Sequence, residues 1–559
     1  MCGARLYDSS FLALSMFCSS LPYIRGLGLY DDDWGYLATY TYCSDRSYWG
    51  LIKCFYRDNG DPSVRPLQNL YVSGLYWLFG PHPSVHHAVN SALLACAVVL
   101  LYQTLSELGL SRIPAVAIAL IYGLLPHYST DRFWLASAAA SNQSMAFCFL
   151  SFYSAARVFR SCSRRRWAWM TASILAMLAS LLAYEVAAPL MVLVPLIMYI
   201  GFSRSATVQG AIRPERSTSR LIFLLSMASL ALFIALKLKL QTRVGIHGRF
   251  LFLSKLDLIF QHAASQFFEF NVGKYGLGLP VMAWHALSCR LGPEIKVITV
   301  LFAVALFSYL LLATSDLRER PGIRVWGGLI VVGVVLFGLG YAIWATDYTS
   351  EFANLGIANR ITAAAAVGTA FLLVGTLGLT CALLPNAKAS RWCFCALVTV
   401  FATSGFAVIQ GVASFWVESA NQQKMILDDI RAHVKSLPPK STLLVDGIYV
   451  YVGPGPVFLW DGDTASALQL LFHVPSLNGD VINTTASAEK LYISKFTYGF
   501  EYHYAYGNNL WLYNYRTKRL IQLSSFEIAQ RYFEGFNPQS GGVCAPPCGD
   551  YGTATCFSH

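Results

Sequence analysis

Long apolar runs recur through the first three quarters of the chain, and they constrain the fold more than any other feature. A helix needs about 20 apolar residues to cross the roughly 30 Å hydrocarbon core of a bilayer. The runs cover residues 9–28, 84–107, 110–128, 134–157, 167–183, 186–202, 221–239, 296–314, 325–345, 361–384 and 393–416. The mean hydropathy is +0.48 and 13% of residues are charged, whereas soluble domains carry about 25%. We therefore predict a polytopic α-helical membrane protein with about 11 transmembrane helices.

Clusters of basic residues predict how the helices are oriented. Arg157–Arg166, Arg204–Arg220, Arg318–Arg324 and the pair Lys388 and Arg391 follow the fourth, sixth, eighth and tenth runs. With eleven spans, all four clusters fall on one side, which the positive-inside rule assigns to the cytoplasm. The N-terminus is then cytoplasmic and the C-terminus outside. Because the formal charge of +11 is distributed this way, with no basic stripe interleaved with exposed aromatics, we expect no nucleic-acid partner.

The composition changes near residue 420, which suggests three regions: a membrane domain (1–419), an outer domain (420–540) and a Cys-containing tail (541–559). Strand-like segments at 442–446, 491–496, 509–515 and 519–523 and a helical one at 465–472 predict a small α/β extracytoplasmic domain, with the last two strands forming a hairpin.

The cysteines indicate disulfides rather than a zinc site. Cys544, Cys548 and Cys556 lie in the tail without histidines at ligand spacing, so a disulfide is favoured there if the tail faces an oxidising compartment. Cys43 and Cys54 share the first outer loop and can pair in the same way.

Three adjacent carboxylates, Asp31, Asp32 and Asp33, follow the first apolar run. Each would cost about 2.5–3.5 kcal/mol at a bilayer centre, so they belong at its edge or in a polar cavity. Mutual repulsion raises the pKa of at least one of them, which suits a general base. The alternative is a solvated loop that ends a helix. The same outer loop, 29–83, contains the apolar segment 67–79, which is too short to span and suits a helix lying in the interface.

Other charged residues fall on the same predicted side. Asp131 and Glu185 lie in short outer loops, and Arg243, Arg249 and Arg360 lie in later ones. Each has a simpler explanation. Asp131 can pair with Arg132 or cap the fourth span, Glu185 can be a turn residue, and Arg360 can be a flanking charge. Arg65, in the first loop, can anchor to lipid headgroups.

Carboxylates and arginines at the outer face suit the transfer of a sugar from a polyprenyl-phosphate carrier. The acceptor hydroxyl needs a base, and the departing phosphate needs cations rather than a protonating acid. The planar guanidinium of arginine contacts two phosphate oxygens at once.

Short motifs resemble those of the GT-C superfamily of membrane glycosyltransferases, which includes protein O-mannosyltransferases, lipid A aminoarabinose transferases and oligosaccharyltransferases. The acidic segment 31–37 resembles their first-loop motif, and 64–67 (VRPL) with 79–80 (FG) is similar to the Lys-Pro-Pro-Leu and Phe-Gly pattern of the aminoarabinose and mannosyl branches. Residues 184–185 match a Lys-Glu pair with the lysine replaced. Residues 359–361 resemble an Arg-Tyr pair that opens a late span, with the tyrosine replaced.

The resemblance implies an inverting transferase in a bacterial inner membrane with a periplasmic active site. Its base is an aspartate of Asp31–Asp33, with Asp32 or Asp33 favoured over Asp31, and Asp131 is a further catalytic candidate. The candidate donor-binding residues are Arg65, Glu185 and Arg360, which lie in these motifs, together with Arg243 and Arg249, which lie on the same predicted outer face. The implied partners are a polyprenyl-phosphate-linked sugar and a glycan, lipid or protein acceptor.

Three alternatives stay open from the sequence. The carboxylates can instead hold a divalent cation, the only cofactor that we consider possible. A lipid-linked-saccharide flippase or other transporter, or a receptor whose outer domain binds a ligand, are rival functions. A transporter would favour ionisable residues midway through its spans and repeated halves.

Overall fold

The computed structural model describes residues 2–59, 64–158, 160–161, 163–198, 216–243, 256–314, 322–343, 356–482, 485–497, 500–535 and 543–544. Helices dominate up to His433, and strands begin at Thr442. The helices are Cys2–Ile24 (α1), Asp32–Tyr42 (α2), Tyr48–Asp58 (α3), Pro66–Phe79 (α4), Pro83–Glu107 (α5), Arg112–Leu124 (α6), Thr130–Phe133 (α7), Leu135–Val158 (α8), Ser163–Ala183 (α9), Arg216–Arg243 (α10), Leu256–Asn271 (α11), Leu279–His285 (α12), Pro293–Thr314 (α13), Ile323–Tyr341 (α14), Ala363–Ala382 (α15), Ala387–His433 (α16), Asp461–Phe472 (α17) and Phe526–Glu534 (α18). Shorter helical turns cover Pro126–Tyr128, Glu185–Val192, Ala286–Arg290 and Ile357–Thr362.

A helical segment lies at each predicted apolar run, which confirms a polytopic α-helical membrane protein. Within the described residues, six helices (α5, α9, α13, α14, α15 and α16) are long and apolar enough to cross a membrane, judged by length and composition. Three shorter apolar helices lie at Arg112–Leu124, Glu185–Met198 and Arg220–Leu236. The count of eleven spans stays a prediction.

Helix α8 shows that apolar composition alone does not identify every buried helix of the bundle. It is rich in Ala, Ser, Asn and Gln, yet most of its side chains are buried among other helices. Ser144 and Ser151 of α8 exchange hydrogen bonds with Ser180 and Ser173 of α9. Small residues that allow close approach and hydroxyls that bond across helices are typical of helix packing in membranes.

One end of the bundle is held by buried ion pairs. Glu107, at the end of α5, contacts the guanidinium groups of Arg5, Arg157 and Arg160 at 2.5, 3.2 and 3.1 Å. Arg5 lies in α1, Arg157 in the last turn of α8 and Arg160 in the loop that follows α8. The sequence places these three segments on the same side. The contacts agree with that grouping, and its assignment to the cytoplasm stays a prediction.

The C-terminal region forms a small α/β domain, as predicted. Its strands are Thr442–Asp446 (β1), Tyr451–Val452 (β2), Gly455–Pro456 (β3), Asn478–Val481 (β4), Ser487–Ala488 (β5), Tyr492–Thr497 (β6), Phe500–Ala505 (β7), Leu510–Asn514 (β8), Arg519–Gln522 (β9) and Val543–Cys544 (β10). The main sheet has the order β4-β1-β8-β9. Strand β1 runs parallel to β4 and β8, and β8 and β9 form the predicted antiparallel hairpin.

The outer domain is joined rigidly to the first loop. Helix α16 runs without a break for 47 residues, past the predicted boundary at 420, and at 1.5 Å per residue it is about 70 Å long. Helix α17 packs against α2, and the Tyr42 hydroxyl donates to the Gln469 carbonyl at 2.7 Å.

Cys43 and Cys54 form a disulfide between α2 and α3, as the sequence suggested. The Cys544 side chain and all of Cys548 and Cys556 lie outside the described residues.

Candidate functional site

The three aspartates lie after α1, on a tight turn that leads into α2, and Asp32 and Asp33 are the first two residues of α2. The Asp33 backbone N–H donates to the Tyr30 carbonyl at 3.0 Å, and Asp31 has a φ of 50°, a conformation that favours glycine. Holding a non-glycine residue there costs on the order of 1–3 kcal/mol, and such strain collects at functional sites. The Tyr30 hydroxyl anchors the turn by donating to the Trp416 carbonyl of α16 at 2.7 Å.

The Asp33 carboxylate is hydrogen-bonded to backbone N–H groups. Its side chain is 1% exposed, and its oxygens accept the N–H groups of Leu135 at 3.2 Å, Ala136 at 2.8 Å and Tyr30 at 3.1 Å. The first two are unsatisfied donors at the N-terminus of α8, where a carboxylate also meets the positive end of the helix dipole. Burial raises the pKa of Asp33, and the three N–H groups oppose that rise. Asp33 therefore fixes the loop to the bundle.

Asp31 is half-buried and faces the outer domain. The Trp460 indole N–H donates to its Oδ1 at 2.6 Å. Burial and, second, repulsion by Asp463 raise the pKa of Asp31 to about 7, against the attraction of Arg360. Asp463 holds Trp460 in place by accepting its backbone N–H at 3.2 Å and that of Leu459 at 2.8 Å. The outer domain thus sets the environment of this carboxylate.

Arg360 lies among the acidic residues. Its guanidinium is 4.9 Å from the centre of the Trp134 ring and interacts electrostatically with Tyr184, Asp31 and Asp32. The neighbouring Asn359 fixes its backbone, because the Asn359 Oδ1 accepts the Thr130 N–H at 3.1 Å. The planar cation therefore lies against Trp134 and within electrostatic range of two carboxylates.

Arg65 and Glu185 form a second, buried part of the site. Two guanidinium nitrogens of Arg65 donate to the two oxygens of Glu185, at 2.8 and 3.3 Å. Arg65 also lies 4.4 Å from the centre of the Tyr184 ring. Arg65, at 8% exposed, therefore forms a buried ion pair with Glu185 and stacks on Tyr184.

Asp131 is fully buried, and its hydrogen bond lies within the helical bundle. Its Oδ1 accepts the Ser137 hydroxyl at 2.6 Å, and burial raises its pKa well above the usual value. Arg132 turns away from it and donates to Ser19 at 3.1 Å. In the described part of the chain the two do not pair, and Asp33 rather than Asp131 caps the fourth span.

The other predicted residues have separate outcomes. The Arg243 side chain and all of Arg249 lie outside the described residues. Among the residues that are described, no group of three or more His, Cys, Asp or Glu side chains could hold a metal ion. The backbone donors occupy both oxygens of Asp33, so only Asp31 and Asp32 of the three could contribute to a divalent-cation site, and that alternative stays open.

Sequence reasoning missed three residues of this site: Trp134, Trp460 and Asp463. Trp460 lies 429 residues from Asp31, in a segment without a motif of its own. Trp134 follows Asp131 and Arg132, and its position at the start of a predicted span was the only available signal.

No family model and no curated protein matches the chain. Among solved structures, it is similar to the oligosaccharyltransferase AglB from Archaeoglobus fulgidus in complex with an inhibitory peptide and a dolichol-phosphate, with 12% identity, a TM-score of 0.40, and coverage of 85% of this chain and 64% of that one. It is also similar to ArnT from Cupriavidus metallidurans bound to undecaprenyl phosphate, with 14% identity, a TM-score of 0.35 and 85% of each chain covered. The apo state of ArnT matches at 15% identity and a TM-score of 0.33.

Proposed function

We propose that this protein transfers a sugar from a polyprenyl-phosphate carrier to an acceptor hydroxyl, with inversion at the anomeric carbon. The observation that carries the proposal is that Arg360 lies within electrostatic range of Asp31 and Asp32, at the end of the bundle opposite the Glu107 cluster. A base and a phosphate-binding cation are the two groups that such a transfer needs.

In the proposed reaction, Asp31 takes the proton of the acceptor hydroxyl. A carboxylate has about four acceptor positions, and the single N–H of Trp460 orients Asp31 while leaving room for that hydroxyl. Asp33 is less suited to this role, because backbone N–H groups occupy both of its oxygens. Asp32, also half-buried, shares the field of Arg360 and orients the acceptor.

The acceptor oxygen attacks the anomeric carbon, and the bond from that carbon to the phosphate oxygen breaks. The electron pair leaves with the phosphate, whose new negative charge Arg360 stabilises. Arg65 is a supporting cation, because Glu185 already balances its charge. The apolar surfaces of the bundle suit the lipid tail, and we propose that the site faces the periplasm of a bacterial inner membrane.

The test is donor turnover by the purified full-length protein. Undecaprenyl-phosphate-linked monosaccharides are supplied with a cell-envelope extract as the source of acceptors, and free undecaprenyl phosphate is measured by thin-layer chromatography. We expect Asp31→Asn to lower turnover by about 10²–10⁴-fold, the usual contribution of a general base.

Asp58→Asn is the matched control, because Asp58 lies in the same loop and forms an exposed ion pair with Arg57. It should keep wild-type turnover. Equal turnover by wild-type protein and the Asp31→Asn and Asp32→Asn variants would show that the base lies elsewhere.

A further inference from the structure

A pocket of about 860 Å³ opens in the outer domain, between α17 and the end of β7. It lies within the range of small-ligand sites, about 300–1,000 Å³. Aromatic and polar side chains line it, among them Asp461, Tyr502, Tyr504, Tyr506 and Asn509. The first-loop aspartates are not part of its wall.

Two of the aromatic rings are held in fixed positions. The Tyr504 hydroxyl donates to Asp480 at 2.5 Å, and Asp480 is itself fixed by a buried ion pair with Lys495 at 2.5 Å. The Tyr506 hydroxyl donates to the Glu489 carbonyl at 2.7 Å. Because these hydroxyls are engaged behind the rings, the rings can line the pocket at little conformational cost on binding.

Polar groups with remaining bonding capacity accompany the rings. The Oδ1 of Asp461 is buried and accepts no hydrogen bond from the described residues, which is costly unless a ligand or water supplies a donor. Exposed amides of Asn478, Asn508 and Asn509 add donors and acceptors at the wall. The site therefore combines flat apolar surfaces with hydroxyl-binding groups.

This combination fits a saccharide. A pyranose ring presents a C–H face that packs on aromatic rings and hydroxyls that bond to carboxylates and amides. A nucleotide or another phosphate ligand fits poorly, because Asp461 lines the pocket and the nearby Lys495 is paired with Asp480. The described wall has one carboxylate, Asp461, one histidine, His503, and neither lysine nor arginine, which favours a neutral, hydroxyl-rich ligand.

We propose that this pocket binds the sugar portion of a glycan acceptor, and that the pocket and Trp460 together present the acceptor to the first loop. The assignment as an acceptor site rests on the proposed transferase function. Asp461 directly follows Trp460, whose indole N–H bonds to Asp31. One short segment of α17 thus connects the pocket wall to the proposed base.

Saturation-transfer NMR on the purified full-length protein tests this assignment. The probes are the methyl pyranosides of glucose, galactose, mannose and N-acetylglucosamine, in a detergent without a sugar headgroup, because a maltoside would compete. We expect saturation transfer to the ring C–H protons of at least one probe. Tyr502→Ala and Asp461→Asn should each weaken that signal at least about fivefold.

Tyr502→Phe keeps the ring and should keep the signal, which separates stacking from a general loss of structure; thermal unfolding checks that each variant is folded. Asp31→Asn should also keep the signal. Loss of the signal in Asp31→Asn with retention in Tyr502→Ala would move the sugar site to the first loop and overturn the inference. Binding of a Ser- and Thr-containing peptide without any pyranoside would overturn it as well.

The two proposals fail in different ways. Donor turnover is measured without acceptor, as release of free undecaprenyl phosphate to water. Turnover without any pyranoside binding refutes the saccharide pocket and leaves the transferase. Pyranoside binding that depends on Tyr502, in a protein that turns over no donor, refutes the transferase and keeps the saccharide assignment of the pocket.

Discussion

The environment of Asp31 predicts how donor turnover depends on pH. Burial and the carboxylate of Asp463 raise the pKa of Asp31 to about 7. A base acts in its deprotonated form, so the active fraction rises from about 0.1 at pH 6 to about 0.9 at pH 8, and kcat/KM should rise about tenfold. An aspartate with its ordinary pKa near 3.8 would give a flat profile over this range.

Two variants test the direction of this pH dependence. Asp31→Asn should remove the rise and lower turnover about 10²–10⁴-fold, which corresponds to about 2.7–5.4 kcal/mol in the activation free energy. Trp460→Phe removes the N–H that stabilises the ionised form, so the pKa should increase and the rise should move to higher pH. A charge-assisted hydrogen bond contributes about 1.5–3 kcal/mol, so we expect a move of about one pH unit or more.

The assay is release of undecaprenyl phosphate at saturating acceptor extract, in buffers of constant ionic strength from pH 5 to pH 9. Circular dichroism at each pH confirms that the protein stays folded. A flat wild-type profile between pH 6 and pH 8, or a rise that moves to lower pH in Trp460→Phe, would refute the assignment of Asp31 as the base.

Three further predictions concern the cation, the turn and the topology. Arg360→Lys keeps the charge but loses the planar two-point contact, so turnover should fall at least about tenfold, and full turnover in Arg360→Ala would remove this residue from the site. Asp33→Ala leaves the N–H groups of Leu135 and Ala136 without their acceptor and should lower stability by about 1–3 kcal/mol; an unchanged melting temperature in detergent would contradict that role. Reporter fusions at residues 165 and 450 should lie on opposite sides of the membrane, and a common side would overturn the predicted orientation.

The positions of the helices could be predicted from the sequence because each apolar run has about the length of a membrane span and contains a helical segment. It also grouped Asp31, Glu185 and Arg360 on one side from the parity of the spans, and the structure brings Asp31 and Tyr184, the neighbour of Glu185, to Arg360. Predicting on which side of the membrane a residue lies needs only the number of membrane crossings before it, and not the packing of the helices.

The length of α16 was missed although a signal was present. The apolar composition ends near residue 416, but Ser419, Gln423, Ile426 and Ile430 are buried at helical spacing, and no proline follows until Pro438. A fall in apolarity marks the end of a span and not the end of a helix.

The separate roles of the three aspartates could not be predicted. Asp33 caps a helix that begins about 100 residues later, and Asp31 meets an indole from another domain. Adjacent identical residues carry the same local signal, and only tertiary contacts distinguish them.

A structure of the full-length protein with undecaprenyl phosphate bound tests the central claim most directly. We predict that the phosphate lies within hydrogen-bond distance of the Arg360 guanidinium, with Asp31 facing the position of the anomeric carbon and the lipid tail following the apolar surface of the bundle. A phosphate at the opposite end, beside Arg157 and Arg160 near Glu107, would contradict this account.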